Sequence, residues 1–98
     1  MKWTRRGKML DLVFTTQFRR DLKRLRKQGA PIEKLDTVLQ ALRRDEHLSA
    51  RYRDHALTGD YSGFRECHIM PDWLLIYAID HGQLILTASR TGSHAELF

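Results

Sequence analysis

Five residues in the second half of the chain carry side chains suited to chemistry on a phosphate: His55, His68, Asp72, Arg90 and His94. Cleavage of RNA through its own 2′-hydroxyl needs a base to take that proton and an acid to protonate the leaving 5′-oxygen. It also needs positive charge against the phosphorane-like transition state. Imidazole suits both proton roles because its pKa lies near neutrality. Guanidinium suits the phosphate because its planar fork donates two hydrogen bonds and keeps its charge. Each positioned group is worth roughly 10²- to 10⁴-fold in rate. Such a set is chemically sufficient with no metal ion and no other cofactor, provided that it converges.

A single His or Arg is more often a surface or capping residue than a catalyst, so only convergence would give them a common role. A zinc site from His55, His68, Asp72 and His94 is chemically conceivable, but none has the short paired spacing of the familiar zinc motifs. Cys67, the single cysteine, lies mid-strand between Glu66 and His68 and reads as a packed thiol. His47 and His81 fall in a helix-end segment and a turn, facing solvent. Trp73 and Phe98 have two readings each, as core residues or as rings for base stacking. Core packing is the simpler one for Trp73, and Phe98, the last residue, is open to either.

These residues need a scaffold that brings strand ends together. Leu10 to Phe14 alternates as a first strand. Thr15 or Thr16 caps a helix to about Lys27, with Phe18, Leu22 and Leu25 in one narrow apolar stripe. Gly29 ends it, and Pro31 opens a second helix striped by Ile32, Leu35, Val38, Leu39 and Leu42. Phe64 to Ile69 reads as a strand and Pro71-Asp72 as a turn. Trp73 to Ile79 is apolar on both faces, as a central strand is. Asp80-His81-Gly82 turns the chain into a last strand from Gln83 to about Arg90. The expected fold is α+β: a two-helix hairpin on a mostly antiparallel four-stranded sheet, in the order β-α-α-β-β-β. In that fold the Pro turn brings His68 and Asp72 close, and Arg90 and His94 share their edge of the sheet.

The chain has 98 residues, 42% hydrophobic and 30% charged, which fits one globular domain. Residues 1–8 are polar, basic and without period, so the domain is expected to span 9–98 behind a loose tail. The longest apolar run, Trp73 to Ile79, falls far short of the roughly 20 residues that span a bilayer. No apolar stretch of a secretory signal follows the basic start. One cysteine cannot form an internal disulfide, which fits a reducing, cytoplasmic setting. Net charge is +5, and ten of the seventeen Lys and Arg fall in the first 27 residues. From Gln28 onward seven basic residues face ten acidic ones. A basic half of this kind suits a polyanion such as RNA, with a solvated helix face or an acidic protein partner as the plainer readings.

Three blocks carry a resemblance. Asp54-His55-Ala-Leu-Thr-Gly, Phe64-Arg-Glu-Cys-His-Ile-Met-Pro-Asp-Trp-Leu-Leu-Ile-Tyr77 and Arg90-Thr-Gly-Ser-His-Ala-Glu-Leu-Phe98 resemble, in order and spacing, the YafQ branch of the RelE toxins. The resemblance covers about Met9 to Phe98. It implies a RelE-like fold and an endoribonuclease that cuts messenger RNA on the ribosome and is silenced by a cognate antitoxin. It also implies that His55, His68, Asp72 and His94 carry catalysis, with His94 the general acid. His55 is favoured as the base, with Asp72 and His68 orienting it or the substrate. Arg90 would contact the scissile phosphate, and Trp73 and Phe98 would belong to the same site. The first helix, through Arg20, Lys23 and Lys27, would then meet ribosomal RNA by its phosphates. Two competitors remain. One is a non-catalytic relative, such as the ParE-like gyrase inhibitors, which has no need of three histidines here. The other is a plain RNA-binding module that cuts nothing.

Overall fold

The computed structural model describes residues 9–98, so the expected tail over 1–8 lies outside the described residues. The elements run β1 (Asp11–Phe14), α1 (Thr16–Lys27), α2 (Ile32–Arg43), β2 (His55–Ala56), β3 (Arg65–Met70), β4 (Trp73–Asp80), β5 (Ile85–Gly92) and α3 (His94–Leu97). They form the expected α+β fold, with a five-stranded sheet in the order β1-β5-β4-β3-β2. All neighbours are antiparallel except β1 and β5. That parallel pair is closed by the long crossover through both helices and the three other strands, as parallel neighbours require.

Two elements differ from the sequence reading. The sheet has five strands rather than four, because His55 and Ala56 pair with Glu66 and Arg65. A two-residue strand is too short to show alternation, so it left no pattern. The chain after Arg90 also continues in strand to Gly92 and then turns into α3. There Ser93 accepts from the Glu96 N–H while the Glu96 carboxylate accepts from the Ser93 N–H, a complete capping box. That signature was present in Ser93 and Glu96, three residues apart.

The helical hairpin forms where its chemistry dictates. Thr15 Oγ1 accepts from the Phe18 N–H and starts α1. Gly29, at φ 77°, ends it, with the Ala30 N–H reaching the Leu25 carbonyl and the Gly29 N–H reaching that of Arg26. Those bonds need the left-handed backbone that glycine adopts most readily. Both helices cover one face of the sheet. Phe18, Leu25, Leu35, Val38, Leu39 and Leu42 pack there against Cys67, Trp73, Leu75, Tyr77, Leu86 and Ala88. On the other face Leu74 and Ile76 make a smaller cluster with Leu97, flanked by Leu57, Tyr61 and Phe64. Side chains alternate along a strand, so β4 is buried from both sides over Trp73–Tyr77. No helix among the described residues is long and apolar enough to cross a membrane.

One edge detail sets up the site. β1 stops at Phe14 opposite Ala88, which would leave the rest of that β5 edge unpaired. The start of α1 supplies the missing partners. The Thr15 N–H donates to the Ala88 carbonyl and Thr15 Oγ1 to that of Ser89, at 3.1 and 2.8 Å. Asp21 accepts from the Thr91 N–H at 3.1 Å. The β4–β5 register also slips at this point: Tyr77 faces Ala88 while Ile76 faces Arg90, leaving Ser89 as the extra residue. The bulge puts Arg90 on the face away from the helices and Thr91 on the face toward them.

Candidate active site

The register lays the candidate residues out in rows. His55, Glu66, Ile76 and Arg90 face one another across four strands, and His68, Leu74 and Gly92 form the next row. Both rows lie on the face away from α1 and α2. With neighbouring strands about 4.8 Å apart, Glu66 and Arg90 are separated by about 10 Å of backbone. His55, Asp72 and His94 are exposed, while Glu66, Leu74 and Ile76 between them are buried.

His55 and His68 meet through a residue the sequence reading passed over. His55 Nδ1 lies 2.7 Å from the Arg53 carbonyl, and His68 Nδ1 lies 3.3 Å from the Pro71 carbonyl. A carbonyl only accepts, so each Nδ1 carries the hydrogen and each Nε2 is left to exchange protons. Both Nε2 atoms face Glu66 Oε2, at 3.4 Å from His55 and 3.9 Å from His68. Glu66 is buried and His55 exposed, which puts the carboxylate behind the ring. Arg53 turns its carbonyl to His55 from a left-handed backbone, φ 52°. Glu66 was hard to see in sequence because it looks like one polar position of an ordinary strand.

A second group gathers at the β3–β4 turn. Asp72 Oδ1 accepts from the His94 N–H at 3.3 Å, which docks the start of α3 on the turn. The Phe98 ring lies 5.0 Å from the His94 ring, tilted by 35°, and meets Tyr61 edge-on at 5.4 Å. Phe98 is 53% exposed, so much of its surface remains open to a base. The tight Pro turn thus brings His68, Asp72 and His94 to one end of the sheet, as their spacing suggested.

Arg90 is held from behind. Its Nε and Nη2 donate to the two oxygens of Asp21 at 2.8 and 3.2 Å. Asp21 sits on α1, is 1% exposed, and also accepts from Arg24 and from the Thr91 N–H. Burial pushes its carboxyl up, but the Arg90, Thr91 and Arg24 hydrogen bonds and the Arg90 charge outweigh it and hold it below the usual range. The same carboxylate raises the Arg90 guanidinium. Arg24 bridges on to Glu96 of α3, Nε to Oε2 at 3.0 Å. Gly92 permits that approach, since a Cβ there would come within 2.8 Å of both partners. In sequence Asp21 was one of two acids in a basic stretch; nothing local marked it as the residue that grips Arg90, 69 positions away.

One expectation needs correcting. The Trp73 ring is not a platform for a base: the residue is 6% exposed in the helix-side core, and its indole N–H donates to Thr91 Oγ1 at 2.8 Å. Its place at the start of β4 points it toward the helices with Leu75 and Tyr77. Cys67 is fully buried and its thiol is pushed up by burial, then by Asp54 and Glu66, so it has no nucleophile's character. Arg20, Lys23 and Lys27 are exposed along α1, and His47 and His81 are exposed. His81 reaches Asp45 at 3.0 Å, away from the other candidates.

A helical pair thus covers one sheet face, and imidazoles, carboxylates and a buttressed arginine gather on the other. Residues 10–98 match the family model described as bacterial toxin of type II toxin–antitoxin system, YafQ, and the chain belongs to that family. The mRNA interferase toxin YafQ of Escherichia coli strain K12 is 36% identical over 89 residues, spanning 90% of this chain and 95% of that protein. The metal-bound toxin from Helicobacter pylori matches with a TM-score of 0.86 at 41% identity, covering 92% of this chain and all of the other. A chain in the crystal structure of the E. coli DinJ–YafQ toxin–antitoxin complex matches with a TM-score of 0.84 at 35% identity, covering 92% and 98%.

Proposed function

We propose that this protein is an endoribonuclease toxin that cuts messenger RNA on the ribosome and is silenced by a cognate antitoxin. The reading is carried by the sheet face where His94 and Phe98 stand beside Asp72 and His68 while Arg90 is fixed by Asp21. It is supported by the name mRNA interferase toxin given to the E. coli relative. The antitoxin is inferred from the DinJ–YafQ complex.

In this mechanism His55 Nε2 takes the 2′-hydroxyl proton as the 2′-oxygen attacks the phosphorus, and the Glu66 carboxylate beside that nitrogen stabilises the imidazolium that forms. Arg90 stabilises the charge that builds on the phosphoryl oxygens with the N–H groups that Asp21 leaves unused. His94 protonates the departing 5′-oxygen, with Asp72 fixing the backbone from which its ring projects. His68 positions the substrate or the base beside Glu66, and Phe98 offers a ring for the base next to the cut. Imidazole and guanidinium supply what a metal would otherwise supply, so no metal is required. The products are then a 2′,3′-cyclic phosphate, or its hydrolysed 3′-phosphate, and a 5′-hydroxyl. The test is single-turnover cleavage of ribosome-bound message whose 2′-hydroxyl at the cut site is replaced by 2′-methoxy. The expected result is no cutting of the methoxy message and 5′-hydroxyl ends on the natural one. Continued cutting, or a 5′-phosphate downstream, overturns the mechanism.

A further inference from the structure

Beyond Gln28 the chain has only seven cations among ten acids, and their distribution in space is not even. Four are engaged inside the molecule: Arg43 donates to the Leu10 carbonyl, Arg44 pairs with Glu46, Arg65 with Asp54, and Arg90 with Asp21. The other three, Lys34, Arg51 and Arg53, have no ion pair among the described residues. All three line one cleft of about 290 Å³, with Tyr52, Met70 and His68. A smaller depression of about 160 Å³ continues it along α2 to Thr37, sharing Lys34, Arg51, Tyr52 and Ile69. No carboxylate lines either part. The Arg51 guanidinium is held over the Tyr52 ring at 4.8 Å, and its Nη2 donates to the Tyr52 hydroxyl.

We infer that this groove, between α2 and the edge of β3, binds the phosphate backbone of the single-stranded RNA as it leaves the cutting site. The three cations come from two separate elements, α2 and the turn at Ala50–Tyr52 with its C-cap Arg53. Gathering like charges without counter-charges costs repulsion that a polyanion removes. His68 joins the groove to the catalytic face, because it lines the cleft and also faces Glu66. A chain that runs from the cutting site past His68 therefore meets Arg53, Arg51 and Lys34 along one cleft. The groove is separate from the basic stripe of Arg20, Lys23 and Lys27, which lies on α1.

This inference rests on the ribonuclease reading, and the experiment separates the two. The full-length toxin, freed of antitoxin, is titrated with a fluorescently labelled single-stranded RNA carrying 2′-methoxy at every position, so binding is read without cleavage. The variant combines Lys34→Gln, Arg51→Gln and Arg53→Asn, asparagine being chosen because it tolerates the left-handed backbone at that position. All three side chains are exposed, so the fold should survive; Arg51→Gln alone carries the test if the triple variant does not fold. The expected result is at least about tenfold weaker binding at moderate salt, with the slope of log affinity against log salt flattened by about two units. Arg44→Gln, which removes a cation already paired with Glu46, should change little. Unchanged RNA affinity and slope in the triple variant overturn the inference. Unchanged RNA binding with weakened antitoxin binding assigns the groove to an acidic protein segment, which also overturns it. A wild-type chain that binds RNA through the groove but never cuts ribosome-bound message leaves the groove standing and removes the proposed function.

Discussion

The two faces of the sheet solve different problems. The face under α1 and α2 is apolar, with side chains from both helices and three strands closed over Cys67, Leu75 and Tyr77. Its few polar groups are spent internally, such as the Tyr77 hydroxyl, which donates to Asp54 at 2.7 Å and is pushed up first by burial and then by that bond. The other face has only a thin apolar patch, Leu74 and Ile76 under Leu97, and around it stand His55, Glu66, His68, Asp72, Arg90 and His94. One face holds the molecule together, and the other gathers polar and titratable groups, with His55, Asp72 and His94 exposed and Glu66 buried. Asp21 belongs to both: it is buried on the helical side and holds Arg90 on the other.

Four variants can break or sharpen that division. Phe18→Ala should have the largest effect. Phe18 is fully buried beside Phe14, and its loss should cost about 3–5 kcal/mol in chemical denaturation. Cleavage per folded molecule should be unchanged; if it collapses as well, the faces are not separable. Asp21→Asn should cost on the order of 3 kcal/mol, because it leaves two guanidinium groups around a neutral amide. Unlike Phe18→Ala, it should also slow cleavage per folded molecule, since Arg90 loses its buttress. Its pH signature has a definite sign. The Asp21 carboxyl is held below its ordinary 3.8, so its contribution is present above that value and lost as pH falls through the folded-state value. Denaturation midpoints followed from pH 7 toward strong acid should therefore fall less steeply in Asp21→Asn than in the wild type.

His94→Ala should cost roughly 10²-fold or more in single-turnover cleavage, the usual size of a lost acid. Because His94 is exposed, stability should shift by no more than about 0.5 kcal/mol. A toxin that stays fully active after this change would be acting by binding alone. The smallest effect on fold and chemistry is expected from Arg20→Glu, Lys23→Glu and Lys27→Glu together. These should weaken co-sedimentation with ribosomes and flatten its salt dependence, with single-turnover chemistry unchanged once the complex is saturated. Sedimentation that is indifferent to these charges at every salt concentration would give α1 another job, such as docking an acidic antitoxin segment.

What was legible in the sequence was whatever is written locally. The stripes of both helices, the glycine that ends α1, the doubly apolar β4 and the Pro turn that joins His68 to Asp72 follow from spacing and backbone preference. The capping box of Ser93 and Glu96 was equally local and could have marked α3. Tertiary structure alone decided the rest, because it depends on which strands become neighbours. Pairing with β3 made His55–Ala56 a strand and brought His55 against Glu66. The parity of β4 turned Trp73 inward, against its expected place in the site. The early end of β1 and the bulge at Ser89 brought Asp21 onto Arg90. A side chain's type sets what chemistry it can do, but its partners across a sheet are fixed by register and edges, which no short window of residues contains.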